Sequence, residues 1–69
     1  MEVADAVLAV LTDAGEPLHW TVIQDRALRS GAIDPFETPD VRKAVLGAVH
    51  ALVVDGRAVS IAKGVYALA

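Results

Sequence analysis

The chain contains no cysteine and only two histidines among its 69 residues. Without cysteine, neither disulfide bonds nor thiolate metal sites are available. His19 and His50 are far apart in sequence, and no other metal-ligand spacing completes a zinc site around them. Glycine-rich phosphate loops are absent, and neither Ser30 nor Ser60 lies in a nucleophile motif. We therefore expect that the chain is not an enzyme and that it binds no metal or nucleotide cofactor.

Long apolar runs are also missing. The longest run without a charged residue is 44–54, whereas a membrane-spanning helix needs about 20 apolar residues. The first five residues, Met-Glu-Val-Ala-Asp, are acidic and lack the positively charged start of a secretory signal. These absences predict a cytoplasmic protein that makes no membrane contact.

Small aliphatic residues dominate what is present. The sequence has 13 Ala and 11 Val but one residue each of Trp, Tyr and Phe, and 55% of it is apolar. Its length allows one domain over residues 1–69, either as a whole protein or as part of a longer effector protein. A single core of this size rarely contributes more than ~3–5 kcal/mol to stability, so we expect closely fitted helices.

Charge is distributed unevenly along the chain. The net charge is −3, but residues 1–40 carry eight acidic and two basic residues, a net of −6. Residues 41–69 carry four basic residues and one acidic residue, a net of +3. An asymmetry of this kind indicates that the basic part can contact a polyanion.

Apolar spacing predicts two helices in the acidic part. Residues 2–14 place Val and Leu three and four positions apart, and Gly15 follows as a C-terminal stop. The second helix is predicted over 21–30, with Thr21 and Gln24 forming a capping box.

The third helix is predicted over 38–54, with Thr38 as N-cap and Pro39 as the first helical residue. At 100° per residue, one side gathers an apolar stripe that we expect to face inward, with Val49 at its border: Val41, Val45, Ala48 and Leu52. The opposite side carries Lys43, Leu46, Gly47 and His50, with Arg42 on its flank.

Short extended segments surround these helices. Residues 16–20 form a candidate strand after the first helix, and 57–61 and 65–68 alternate around a Lys63-Gly64 turn, as in a β-hairpin. Val59 and Ile61 share one side of their strand. We expect Trp20 and Tyr66 to anchor the core and Phe36 to cover its edge, because they are the largest apolar side chains.

The order of these elements predicts a small α+β winged helix-turn-helix. It has three helices, a short strand after the first helix and a C-terminal β-hairpin wing. The short strand can join the hairpin, which avoids an isolated two-stranded ribbon. A three-helix bundle with a β tail fits the same pattern almost as well.

Four short motifs resemble the HARE-type winged helix over about residues 3–68: Glu16-Pro17-Leu18-His19-Trp20, Gly31, Thr38-Pro39 and Gly64-Val65-Tyr66-Ala67-Leu68. That family occurs in Asx-like chromatin proteins, in restriction endonucleases and, more distantly, in the delta subunit of bacterial RNA polymerase. The resemblance implies a winged-helix fold and a DNA-binding role coupled to an effector, as in restriction–modification.

Helix-turn-helix docking places the free face of the third helix in the major groove of double-stranded DNA. This assigns DNA contacts to helix and wing residues: Thr38, Arg42, Lys43, Leu46, Gly47, His50, Arg57 and Lys63. A DNA-binding chain would be nucleoid-associated, with an effector domain, a protein partner or a second copy adding contacts. The alternative is a protein-interaction or dimerisation module on the same scaffold, which exposed Leu46 would suit.

Overall fold

The computed structural model describes residues 1–69 as three helices and three strands. The helices are α1 (Val3–Ala14), α2 (Trp20–Arg29) and α3 (Val41–Val54). The strands are β1 (Leu18–His19), β2 (Ala58–Ala62) and β3 (Val65–Leu68), and they form one antiparallel sheet in the order β1-β3-β2. The predicted winged-helix layout is confirmed, because β2 and β3 form a C-terminal hairpin that β1 extends. None of the helices has the length and apolarity to cross a membrane.

The core is entirely aliphatic. Twelve residues are buried and none is polar or charged: Ala6, Val7, Val10, Leu11, Leu18, Ile23, Ala27, Ile33, Val45, Val49, Leu52 and Ala58. The predicted inward stripe of α3 is confirmed, since Val45 and Leu52 are buried and Val41 and Ala48 pack against the core. Val49, at the border of that stripe, is buried as well. Because no polar or charged residue is buried in this core, cohesion comes from burial and close fit of small side chains.

The start of α2 differs from the prediction. The helix begins at Trp20, and His19 is its N-cap, with the imidazole Nδ1 accepting a hydrogen bond from the Thr21 N–H at 3.2 Å. The Thr21–Gln24 capping box is therefore wrong. Pairing of β1 with β3 extends to His19, and the Trp20 N–H donates to the Gly64 carbonyl at 2.9 Å. This tertiary bond satisfies the first helical N–H, and the cap lies at His19, two residues before Thr21.

The start of α3 differs as well. Asp40 is the N-cap and its carboxylate accepts a hydrogen bond from the Lys43 N–H at 3.1 Å, so Thr38 as cap and Pro39 as first helical residue are wrong. The Thr38 N–H instead donates to the Asp34 carbonyl at 3.0 Å, which closes a turn over 34–38. That turn keeps Thr38 outside α3 and leaves the later acidic side chain to cap the helix.

Two of the three aromatic predictions are also wrong. Phe36 is 96% exposed, because it lies in the turn whose backbone bonds to Asp34 hold it away from the core. Trp20 is half-buried and lies outside the core cluster, whereas Tyr66 packs against that cluster as predicted. The aliphatic side chains fill the interior without the two largest rings.

The hairpin turns one aliphatic pair outward. Val59 and Ile61, predicted to share one side of their strand, are 38% and 57% exposed, while Ala58 supplies the buried contact of β2. The register shifts between Ser60 and Ala62, which leaves an irregularity at Ile61 on the edge strand. Such irregularities hinder the pairing of an edge with another strand.

A core substitution should unfold this protein. Leu52→Ala removes a fully buried side chain, which costs about 2–5 kcal/mol and equals much of the ~3–5 kcal/mol available to a core of this size. Val54→Ala, on the same helix at 71% exposure, should change stability by less than about 0.5 kcal/mol. Urea unfolding followed by circular dichroism measures both. Equal losses from the two variants would contradict the assignment of the buried side.

Candidate nucleic-acid interface

The exposed side of α3 forms a shallow groove. Five predicted contact residues and the helix cap line it: Asp40, Arg42, Lys43, Leu46, Gly47 and His50. Arg42, Lys43, Gly47 and His50 are exposed, as expected from burial of the opposite stripe. Leu46 is half-buried rather than fully exposed, so it forms an apolar part of the groove lining. The groove therefore combines cationic, imidazole and aliphatic groups on one helical face.

The N-terminal end of this groove carries one negatively and one positively charged side chain. Asp40 caps α3, and Arg42 is the second residue of the helix. The carboxylate partly occupies the N–H groups that a phosphate would otherwise approach at a helix N-terminus. Thr38, assigned to a phosphate by the sequence prediction, lies in a different depression that also contains Met1 and Ile33.

The turn of the wing lies against the start of α2. Lys63 is exposed in this turn, beside Gly64, whose carbonyl accepts the Trp20 N–H. Gly64 has φ +75°, and a Cβ there would lie 2.8 Å from His19 Nε2 and 3.3 Å from Trp20 Cδ1. Only glycine meets both the positive φ and the close approach without strain. The glycine thus allows the wing turn to pack directly on the cap of α2.

The start of α3 also reaches the contact between the wing turn and α2, because Arg42 lies over the ring of Trp20. The Arg42 guanidinium carbon Cζ lies 5.5 Å from the centroid of the Trp20 ring, within cation–π range. The start of α2, the start of α3 and the wing turn therefore meet at Trp20, Arg42 and Gly64, which we call the junction. Sequence reasoning missed Trp20 as a member of this surface, because no helical or strand periodicity relates it to Arg42.

Arg57 lies away from the junction. It follows the C-terminal end of α3, where its N–H donates to the Leu52 carbonyl at 2.9 Å. A 14-residue helix is about 21 Å long, so Arg57 and Arg42 flank opposite ends of α3. The structure thus brings five α3 residues into one groove, places the turn bearing Lys63 beside Trp20, and leaves Thr38 and Arg57 outside this grouping.

The basic residues of α3 and the wing have no acidic partner. The only salt bridge in the chain joins Arg29 to Asp25 on α2, with a nitrogen–oxygen distance of 3.1 Å. The positive charges at 42, 43, 57 and 63 are therefore not neutralised by ion pairs. Exposed basic side chains without ion-pair partners, on α3 and the wing, provide positive charge to which a phosphate backbone is attracted.

No protein-family model, curated protein or solved structure matches this chain. The resemblance to HARE-type winged helices therefore stays a prediction from the sequence motifs.

Two glycine substitutions should shift stability in opposite directions. Gly64→Ala places a methyl group against the His19 ring at positive φ and should destabilise the fold by about 1–3 kcal/mol. Gly47→Ala adds a methyl group on α3 that meets no other part of the protein within 4 Å beyond the local helix, so it should stabilise by about 0.5–1 kcal/mol. Thermal melting of both variants measures the signs. Stabilisation by Gly64→Ala would contradict the close packing of the wing turn.

Proposed function

We propose that this chain is a DNA-binding winged-helix module that inserts the exposed face of α3 into the major groove. The wing turn, with Lys63 at its tip, contacts the sugar–phosphate backbone or the minor groove. The module would be nucleoid-associated and would direct a fused or associated effector to DNA. The groove along α3 carries this proposal, because it gathers Lys43, Gly47 and His50 on the side opposite the buried stripe, with Arg42 on the flank.

The residue types in the groove suit a duplex surface. Arg and Lys donate to guanine edges or phosphates, and the half-buried Leu46 offers the kind of apolar contact that a thymine methyl accepts. Gly47 has no side chain, and apart from the local backbone of α3 and the two neighbouring residues no protein atom lies within 4 Å of the position of a Cβ there. The middle of the α3 face therefore leaves room for a close approach by a base pair.

The charges predict weak binding by the isolated domain. Four basic residues on α3 and the wing allow a log–log salt slope of at most about −3 to −4. The net charge of −3 opposes long-range attraction to a polyanion. Recognition of a specific sequence would then need contacts added by a second copy or by an attached effector domain.

Paired substitutions test which helix contacts DNA. Arg42→Ala with Lys43→Ala should reduce affinity for a labelled duplex by roughly tenfold or more and flatten the salt slope by about 1–2. Arg26→Ala with Arg29→Ala removes the same charge from α2 and serves as the matched control. Fluorescence anisotropy at two salt concentrations measures both effects.

The control pair should have the smaller effect, since Arg29 is already paired with Asp25 and neither arginine lies in the α3 groove. Equal losses from the two pairs would show that binding follows net charge alone, which would overturn α3 as the DNA-contacting helix.

Asp40 provides a test of opposite sign. Asp40→Asn keeps an N-cap of similar strength but removes the only acidic side chain in the groove, so duplex binding should strengthen about threefold to fivefold. Asp55→Asn makes the same change at the C-terminal cap of α3 and is the control. Anisotropy titrations compare the two, and a larger gain from Asp55→Asn would place the DNA at the other end of the helix.

A protein-interaction module is the second proposal, and the exposure of Phe36 favours it. This ring is 96% exposed in a turn next to Asp34 and Glu37, so it could enter an apolar pocket with a basic rim. A chain that fails to bind duplex DNA at low salt and self-associates until Phe36 is replaced by serine would support this second proposal over the first.

A further inference from the structure

We propose that Trp20 is a positioning residue that holds Arg42 for its contact with DNA. The inference deepens the proposed function and rests on it. Trp20 is half-buried, lies outside the core cluster, and faces the Arg42 guanidinium at 5.5 Å. Its ring therefore has a place in the structure that packing of the core does not account for.

The Trp20 ring is itself held in place by its neighbours. Trp20 starts α2, where its backbone N–H donates to the Gly64 carbonyl at 2.9 Å. Its Cδ1 atom lies close to Gly64, at 3.3 Å from the position of a Cβ there. The His19 ring lies 5.8 Å away, centroid to centroid, and tilted by 34°. An indole has two side-chain torsions, so these contacts leave it little freedom and make it a fixed platform.

An arginine gains from such a platform before it meets DNA. A free arginine side chain samples many rotamers, and binding has to select one of them. A cation–π contact draws on the charge of the guanidinium and, unlike an ion pair, does not require its N–H groups to donate to an acceptor. Arg42 forms no salt bridge, so those donors are free for a phosphate or for a guanine edge. Trp20 thus restricts the Arg42 side chain without occupying the N–H donors that would bind DNA.

This contact distinguishes Arg42 from the other basic side chains of the interface. It is the only cationic side chain in the chain that lies over an aromatic ring. Lys43, the next residue, is exposed and has no such contact, and Arg57 lies at the far end of α3. The same ring also touches the wing turn through Gly64, so the position of Arg42 depends on how the wing packs on α2.

A double-mutant cycle tests whether Trp20 acts through Arg42. The variants are Trp20→Leu, Arg42→Ala and the combination, each titrated against the same labelled duplex at low salt. We expect Trp20→Leu to weaken binding about threefold when Arg42 is present and to have no further effect in the Arg42→Ala background. Trp20→Phe keeps a ring face and should restore most of the lost affinity.

Arg57→Ala is the matched control for the cycle. It removes one positive charge at the opposite end of α3, so Trp20→Leu should cost the same affinity with or without Arg57. Melting curves of every variant identify any loss of folded protein. Such a loss would be the same in both Arg42 backgrounds and would not create coupling.

A second readout needs no DNA. In the wild type, ring-current shifts should move the Arg42 side-chain protons upfield in the NMR spectrum, and Trp20→Leu should abolish that displacement. Unshifted Arg42 protons would overturn the inference even if the affinities agreed.

The possible outcomes separate the inference from the proposed function. If the wild type binds no duplex, the proposed function fails and the role of Trp20 fails with it. If the wild type binds and Trp20→Leu weakens binding equally in both Arg42 backgrounds, Trp20 contacts DNA itself and the inference alone is overturned. The inference is also overturned if Trp20→Leu leaves binding unchanged while Arg42→Ala weakens it.

Discussion

Burial of one side of α3 is the constraint on which the rest of the structure depends. Val45, Val49 and Leu52 pack against the aliphatic faces of α1 and α2, and no polar or charged residue is buried among them. Because a helix has a fixed rotation per residue, hiding this stripe turns Lys43 and His50 to the opposite side and leaves Arg42 exposed on the flank. The same packing that stabilises a small domain thus selects which charges it displays.

The junction of Trp20, Arg42 and Gly64 is the second organising feature. It joins elements that are distant in sequence, through one backbone hydrogen bond, one glycine without room for a side chain and one guanidinium that lies over an indole ring. The wing is therefore attached to the start of α2 and does not extend freely from the sheet. A rigid relation between wing and helices is what a surface needs if it is to contact a groove and its flanking backbone together.

The helices and the hairpin could be predicted from the sequence because they follow local periodicity, turn residues and burial of one face. The caps could not, because Thr21 lost its role to His19 once β1 paired with β3, and Thr38 lost its role to Asp40 once a turn closed on Asp34. Phe36 and Trp20 were placed in the core on size alone, but their surroundings are set by tertiary contacts. The α3 face was predicted residue by residue except for the partial burial of Leu46.

The two parts of the chain carry opposite net charges, so an experiment that locates DNA on one of them tests the proposed interface directly. A proton–nitrogen correlation NMR titration of the labelled chain with duplex DNA at low salt reports every backbone amide at once. If α3 and the wing contact DNA, we expect the largest shift changes at Arg42, Lys43, Gly47 and the wing turn at Lys63. All of these changes should weaken as salt is added. Changes centred on α1 or on the acidic 34–40 loop, or none at all, would contradict the proposed interface.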